Sequence, residues 1–127
     1  LRLLVDTHIL LWGLEDPRKL TTIEVAAMGS PDNDVYFSPV NIWEIAIKVG
    51  KRQMSVGPNF LERIRRQPGL KLLPIKVEHV WGVRDLPAVH GDPFDRLLSS
   101  QAIFEGLTLV TRDGEMSRYG VKRLAAD

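Results

Sequence analysis

The stretch HGDPFDRLL, residues 90–98, sets two carboxylates, Asp92 and Asp95, at the head of an apolar run. With Pro93 at the first helical position, Asp92 becomes the N-cap, and satisfying backbone N–H groups accounts for it fully. Asp95 then falls at the third helical position, where the helix dipole favours a negative charge but many residues would serve. The same dipole should keep Asp95 ionised, a useful state for a metal ligand. Three further acids bear on what Asp95 does. Asp6 ends the apolar run RLLVD, Glu44 sits inside PVNIWEIAIKVGK, and Asp113 follows LTLVT.

Each of these has an ordinary explanation. Asp6 suits a helix cap, and Asp113 precedes Gly114 in a typical turn pair. Glu44 and Lys48 form an i,i+4 pair worth about 0.2–0.5 kcal/mol. The conjunction is harder to dismiss. Bringing like charges to about 4 Å costs on the order of 4 kcal/mol per pair at an effective dielectric near 20, so such a cluster needs something positive within it. A hard divalent cation, Mg²⁺ or Mn²⁺, suits an all-carboxylate set better than zinc.

The elements that would position these acids alternate between strand and helix. RLLVD (2–6), VYFS (35–38), LKLLPI (70–75), LTLVT (107–111) and VKRL (121–124) read as strands. Helices are expected at 8–15, at 21–29 behind a Thr21 or Thr22 cap, and from Pro39 behind a Ser38 cap. Others are expected at 59–67, 77–86 and 94–106, with loops at MSVGPN and PAVHGDP. Alternation of this kind argues for a parallel α/β sheet between helices. Sites in such sheets form beyond the carboxyl ends of the strands, the edge at which Asp6 and Asp113 fall. Apart from Asn41, Glu44 and Lys48, the helix from Pro39 is nearly all apolar, so its narrow polar stripe should line a cleft.

Composition narrows the alternatives. With 127 residues and 44% hydrophobic content, the chain suits one domain over 1–127, and a net charge of +1 announces no broad basic field. There is no cysteine, which excludes disulfides and thiolate zinc sites. His8, His79 and His90 lack the close spacing of a histidine zinc motif. Arg2 and Asp6 interrupt the apolar start, so neither a signal peptide nor a membrane span is expected, and a cytoplasmic location follows. Leu1 stands where an initiator Met would fall, so this start reads as trimmed or non-standard.

LLVDTHILLW, SPVNIWEIAIKVGK, HGDPFDRLLSSQA and LTLVTRD resemble, in order and spacing, the PIN-domain ribonucleases, especially VapC-type toxins of toxin–antitoxin pairs. The resemblance implies a three-layer α/β/α fold with a mostly parallel five-stranded sheet. It also implies Mg²⁺- or Mn²⁺-dependent endonuclease activity on single-stranded regions of RNA. Its catalytic acids fall on Asp6, Glu44, Asp95 and Asp113, of which Asp6, Asp95 and Asp113 would hold metal. Thr111 matches a small hydroxyl residue that would position the last acid or a water. Lys48 and Arg96 are the expected substrate contacts, while Arg63, Arg65 and Arg66 are expected as plain surface. A cognate small antitoxin and a homodimer are also implied, with Trp12, Trp43 and Phe60 as candidate lining for an antitoxin groove. Three rivals fit worse: a phospho-accepting receiver module wants paired acids after its first strand and a strand-ending lysine, a catalytically decayed PIN-fold binding protein would not keep all four acids, and a haloacid-dehalogenase-type phosphatase wants D-x-D where this chain has DTH.

Overall fold

The computed structural model describes residues 1–88 and 91–124; Val89 and His90 of the expected 87–93 loop lie outside the described residues. Its sheet comprises β1 (Arg2–Val5), β2 (Asp34–Phe37), β3 (Leu70–Leu72), β4 (Thr108–Val110) and β5 (Lys122–Arg123). The strand order is β3-β2-β1-β4-β5, and all four pairings are parallel. The helices are α1 (Thr7–Glu15), α2 (Thr22–Gly29), α3 (Pro39–Gly50), α4 (Phe60–Arg66), α5 (Val77–Gly82) and α6 (Pro93–Glu105). This is the α/β sandwich expected from the alternation of elements.

The period-two pleat divides the core in two. Leu3 and Val5 of β1, Val35 and Phe37 of β2 and Val110 of β4 pack with Ile9, Leu10 and Leu11 of α1 and Ile64 of α4. Leu4 and Leu109 belong to a second cluster with Leu98 and Ala102 of α6. Helix α3 contributes to both, placing Ile45 in the first and Val40 in the second. It therefore bridges the two layers with Glu44 on a buried part of its surface.

Several boundaries differ from the sequence expectation for local reasons. β3 stops at Leu72; the Leu73 N–H still reaches the Phe37 carbonyl (2.8 Å), but Pro74 has no N–H to continue the ladder. The expected helix 77–86 breaks at Gly82 into a 3-10 turn, Val83–Asp85. A Cβ on Gly82 would lie 2.8 Å from Ser100 Oγ, so close packing on α6 requires glycine there. GEMSRY (114–119) forms a 3-10 helix that the charged sequence does not announce, burying Met116 and Tyr119 beneath α6. α6 closes on Gly106 in the left-handed region (φ 70°), a conformation that favours glycine.

A buried polar network fastens the strand ends to these helices. Asn41 accepts the Ser38 N–H (2.8 Å) and donates to the Val5 carbonyl (3.2 Å) and Thr7 Oγ1 (3.3 Å). The Ser38 hydroxyl donates to Gln101 Oε1 (2.6 Å), and the Gln101 amide donates to the Pro74 carbonyl (3.4 Å). The ends of β1 and β2, and the segment just past β3, are thereby tied to α3 and α6. Each buried partner left unsatisfied costs about 1–3 kcal/mol. Asn41→Ala is accordingly expected to lower the unfolding free energy by about 2–3 kcal/mol in urea denaturation; a change below about 0.5 kcal/mol would show the network to be dispensable.

Candidate active site

The chain lays β1, β2 and β3 successively to one side, then returns to place β4 and β5 on the other side of β1. The switch in strand order lies between β1 and β4, and the crevice beyond their carboxyl ends is where such sheets build sites. Asp6 follows β1 directly, and Asp113 follows β4 after Thr111 and Arg112.

Asp6 caps α1, its Oδ1 accepting the Ile9 N–H (2.9 Å). Its Oδ2 accepts a short hydrogen bond from the Thr111 hydroxyl. Thr111 Oγ1 in turn accepts the Asp113 N–H (3.1 Å), so one buried hydroxyl orients two acids. Buried at this junction, the Thr111 hydroxyl braces both acids. Asp113 is exposed and caps the 3-10 helix through the Glu115 N–H (3.0 Å). Burial raises the Asp6 pKa above its ordinary value, although the Thr111 hydrogen bond works in the opposite direction.

Asp95 feels all the other acids. Burial, together with the charges of Asp92, Glu44, Asp113 and Asp6, pushes its pKa up to about 7. This corrects the expectation that the helix dipole keeps Asp95 ionised: a dipole contribution of about 0.3–1 kcal/mol is outweighed by desolvation and four like charges. Asp92 caps α6, accepting the Phe94 N–H (2.9 Å) and the Asp95 N–H (3.3 Å), as expected. Glu44 is buried and pairs with Lys48 Nζ at 3.2 Å.

Four chain segments thus bring Asp6, Glu44, Asp95 and Asp113 into one electrostatic neighbourhood. Among the described residues no three Asp, Glu or His side chains close into a metal shell. By donor chemistry the set still fits a hard divalent cation: oxygen donors only, mutually repelling and partly desolvated. The histidines stay apart. His8 is exposed, and His79 is buried with its Nε2 2.8 Å from Glu105 Oε2. His90 lies outside the described residues.

The cations divide. Lys48 stands beside Glu44, a third of its side chain exposed. Arg96 does not match the expected phosphate contact: its guanidinium donates to the carbonyls of Pro87 (2.8 Å), Val83 (3.2 Å) and Leu86 (3.4 Å) and lies over the Tyr119 ring. Three carbonyls gathered at the end of a 3-10 turn, of which Val83 also accepts the Leu86 N–H, match the five donors of a guanidinium. Arg65 and Arg66 are exposed beside Glu62, while Arg63 pairs with Glu15 at 2.7 Å.

An apolar groove of about 270 Å³ opens between α1, α2 and the β2–β3 edge, lined by residues including Leu10, Leu14, Leu20, Val25, Met28 and Leu70. Trp12, Trp43 and Phe60 are absent from its lining. Trp12 and Phe60 are half-buried against the first core cluster, and Trp43 is half-exposed with its ring edge on Phe94 (4.6 Å). Sequence reasoning passed over Asn41, Ser38 and Gln101 as a unit, although Ser38-x-x-Asn41 carries the spacing of a capping box.

The sign of the pH dependence follows from Asp95. A folded-state pKa above the unfolded value means the folded protein holds the proton more tightly, so stability falls as pH rises towards about 7 and levels off beyond it. Urea unfolding in chelator should therefore show wild type losing stability from about pH 5 to about pH 7.5. Asp95→Asn should flatten that slope; a slope the substitution leaves unchanged would remove Asp95 as its source.

The PIN domain family model matches residues 3–122. Among solved structures, VapBC2 from Rickettsia felis, bound to a DNA fragment from its promoter, matches with a TM-score of 0.71 at 16% identity, covering 98% of each chain. FitAcB from Neisseria gonorrhoeae matches with a TM-score of 0.70 at 20% identity, covering 97% of this chain and 96% of that one. A toxin–antitoxin complex from Klebsiella pneumoniae matches with a TM-score of 0.57 at 16% identity, over 87% and 85% of the two chains. Comparison with curated proteins gave no match. The structural likenesses speak for the fold, and the family model spans nearly the whole chain. With its parallel sheet, its switch crevice between β1 and β4 and that match over 3–122, the chain belongs to the PIN-domain family.

Proposed function

We propose that this PIN domain is a Mg²⁺- or Mn²⁺-dependent endoribonuclease that cuts single-stranded regions of RNA and acts as the toxin of a toxin–antitoxin pair. The observation that carries the reading is the convergence of Asp6, Glu44, Asp95 and Asp113 at the switch crevice, where burial first, and then the charges of Asp92, Glu44, Asp113 and Asp6, push Asp95 up to about 7. A fold of itself does not dictate an activity, and the weight rests on those four side chains.

Asp6, Asp95 and Asp113 would hold the cation. When bound, it would supply charge stabilisation at the phosphoryl oxygens. Thr111 holds the Asp6 carboxylate by its hydroxyl and fixes the Asp113 backbone. Glu44 would orient the attacking water and take its proton, with Lys48 holding the carboxylate from 3.2 Å away. Lys48 also remains the best candidate among the expected cations for a backbone phosphate contact. The positive end of α6, which starts at Pro93, faces the same group of acids and adds to the field a phosphate would meet.

The partners follow from the kinds of complex the chain resembles. The relative from Klebsiella pneumoniae is a toxin–antitoxin complex. The apolar groove between α1 and α2 suits an amphipathic antitoxin segment. A homodimer completes the proposal, and exposed Val77, Val80 and Trp81 on α5 offer apolar surface for assembly. No helix among the described residues is long and apolar enough to cross a membrane, in keeping with the cytoplasmic location proposed.

Purified protein should cleave single-stranded RNA only with Mg²⁺ or Mn²⁺ present. Asp6→Asn and Asp95→Asn should fold by circular dichroism yet lose about 100-fold or more in rate, as expected when a site that stabilises phosphoryl charge is lost. Undiminished cleavage in both variants would remove this site from the reaction. Mg²⁺ at about a hundred times its dissociation constant should add about 2.7 kcal/mol of stability. A melting temperature that stays flat from micromolar to tens of millimolar Mg²⁺ would contradict cation binding here.

A further inference from the structure

Arg112 sits between Thr111, which holds Asp6, and Asp113. Its guanidinium reaches Glu24, at the start of α2. Nε donates to Glu24 Oε2 (3.0 Å) and Nη2 to Glu24 Oε1 (2.7 Å). Nη2 also donates to the Lys19 carbonyl, and the guanidinium stacks over Trp12, with Cζ 4.5 Å from the ring centroid. Glu24 is only 2% exposed and simultaneously closes the capping box of α2, its Oε1 accepting the Thr21 N–H (2.9 Å). The geometry is the bidentate fork in which arginine holds a carboxylate most firmly. It differs in kind from surface pairs such as Arg65–Glu62, which contribute little.

We propose that Glu24 and Arg112 form a positioning pair that fixes segment 111–113 and, through it, Asp6 and Asp113. The proposal rests on the ribonuclease reading above, because positioning matters only if those acids act together. Its logic is mechanical. Thr111 Oγ1 bonds Asp6 on one side and the Asp113 amide on the other, so any shift of this segment moves both acids. Arg123 Nη1 holds the same segment through the Thr111 carbonyl (3.2 Å), and Glu24 and Arg112 anchor its next residue to α2. An arginine flanking a site acid invites the reading of a phosphate contact. Here Nε and Nη2 are committed to a buried carboxylate and a carbonyl, which makes Arg112 a brace.

Glu24→Gln separates the two roles, because glutamine still closes the capping box while removing the charge that holds Arg112. Arg112→Lys keeps the positive charge and loses the fork. A positioning pair predicts that each variant lowers kcat by about 10- to 100-fold, the scale on which small misplacements act, with KM within about twofold. Their effects should not add in the double variant. In both, hydrogen exchange at the Asp113 amide should quicken by about tenfold. Glu15→Gln, which breaks the Glu15–Arg63 pair away from the site, should leave kcat, KM and that exchange rate unchanged. A raised KM in Arg112→Lys with wild-type cleavage in Glu24→Gln would overturn the proposal in favour of a phosphate contact. Unchanged Asp113 exchange in both variants would overturn it as well. If Arg112→Lys fails to fold, Glu24→Gln alone decides. If the wild type cleaves no RNA, the ribonuclease reading falls while amide exchange still judges the pair.

Discussion

Asp95 lies partly buried within reach of the charges of Asp92, Glu44, Asp113 and Asp6, and these together with desolvation hold its proton on until about pH 7. Such an arrangement opposes folding whenever all the acids ionise, since each like-charge pair raises the energy of the compact state. The topology makes it unavoidable. β1 and β4 lie side by side with their carboxyl ends at one edge, and each is followed within three residues by an aspartate. α3 and α6 bring Glu44 and Asp95 to the same edge.

What lets the fold tolerate this is a frame of neutral hydrogen bonds and separate ion pairs around the acids. Asn41 ties the end of β1 to α3, and Gln101 ties the Ser38 cap to α6. Thr111 joins the β1 end to the β4 end through Asp6 and Asp113. Each brace satisfies a buried polar group that would otherwise carry its own cost. Lys48 is paired directly with Glu44, an acid of the proposed catalytic set. The other arginines discussed are engaged elsewhere: Arg96 with loop carbonyls, Arg112 with Glu24.

Much of the fold was legible from apolar pattern and punctuation. Continuous apolar runs marked β1 and β4, Ser38-Pro39 and Asp92-Pro93 marked helix starts, and Gly106 marked a helix end. Local rules failed where distant packing decided. Gly82, where α5 gives way to a 3-10 turn, packs so closely on Ser100 of α6 that a Cβ would clash, and Met116 and Tyr119 shape a charged stretch into a helix by burying themselves. The candidate acids could be named because strand-end position has a topological meaning. Their neighbours could not: Arg112 meets Glu24 across 88 positions, and Arg96 turns to carbonyls that only the folded loop presents. The dipole at Asp95 is local, whereas the burial that chiefly raises its pKa comes only with the fold. Beside nearby Asp92, the opposing charges of Glu44, Asp113 and Asp6 come from three other segments.

Everything proposed for this PIN domain depends on the carboxylates acting as one anionic centre, and Asp95 is the probe that reports it. Its side-chain carboxyl can be titrated directly by carbon NMR, first in chelator and then with saturating Mg²⁺. The expected result is a midpoint near 7 in chelator that drops below the usual carboxylate range when Mg²⁺ binds. A midpoint at the ordinary aspartate value in chelator, unmoved by Mg²⁺, would contradict a shared centre.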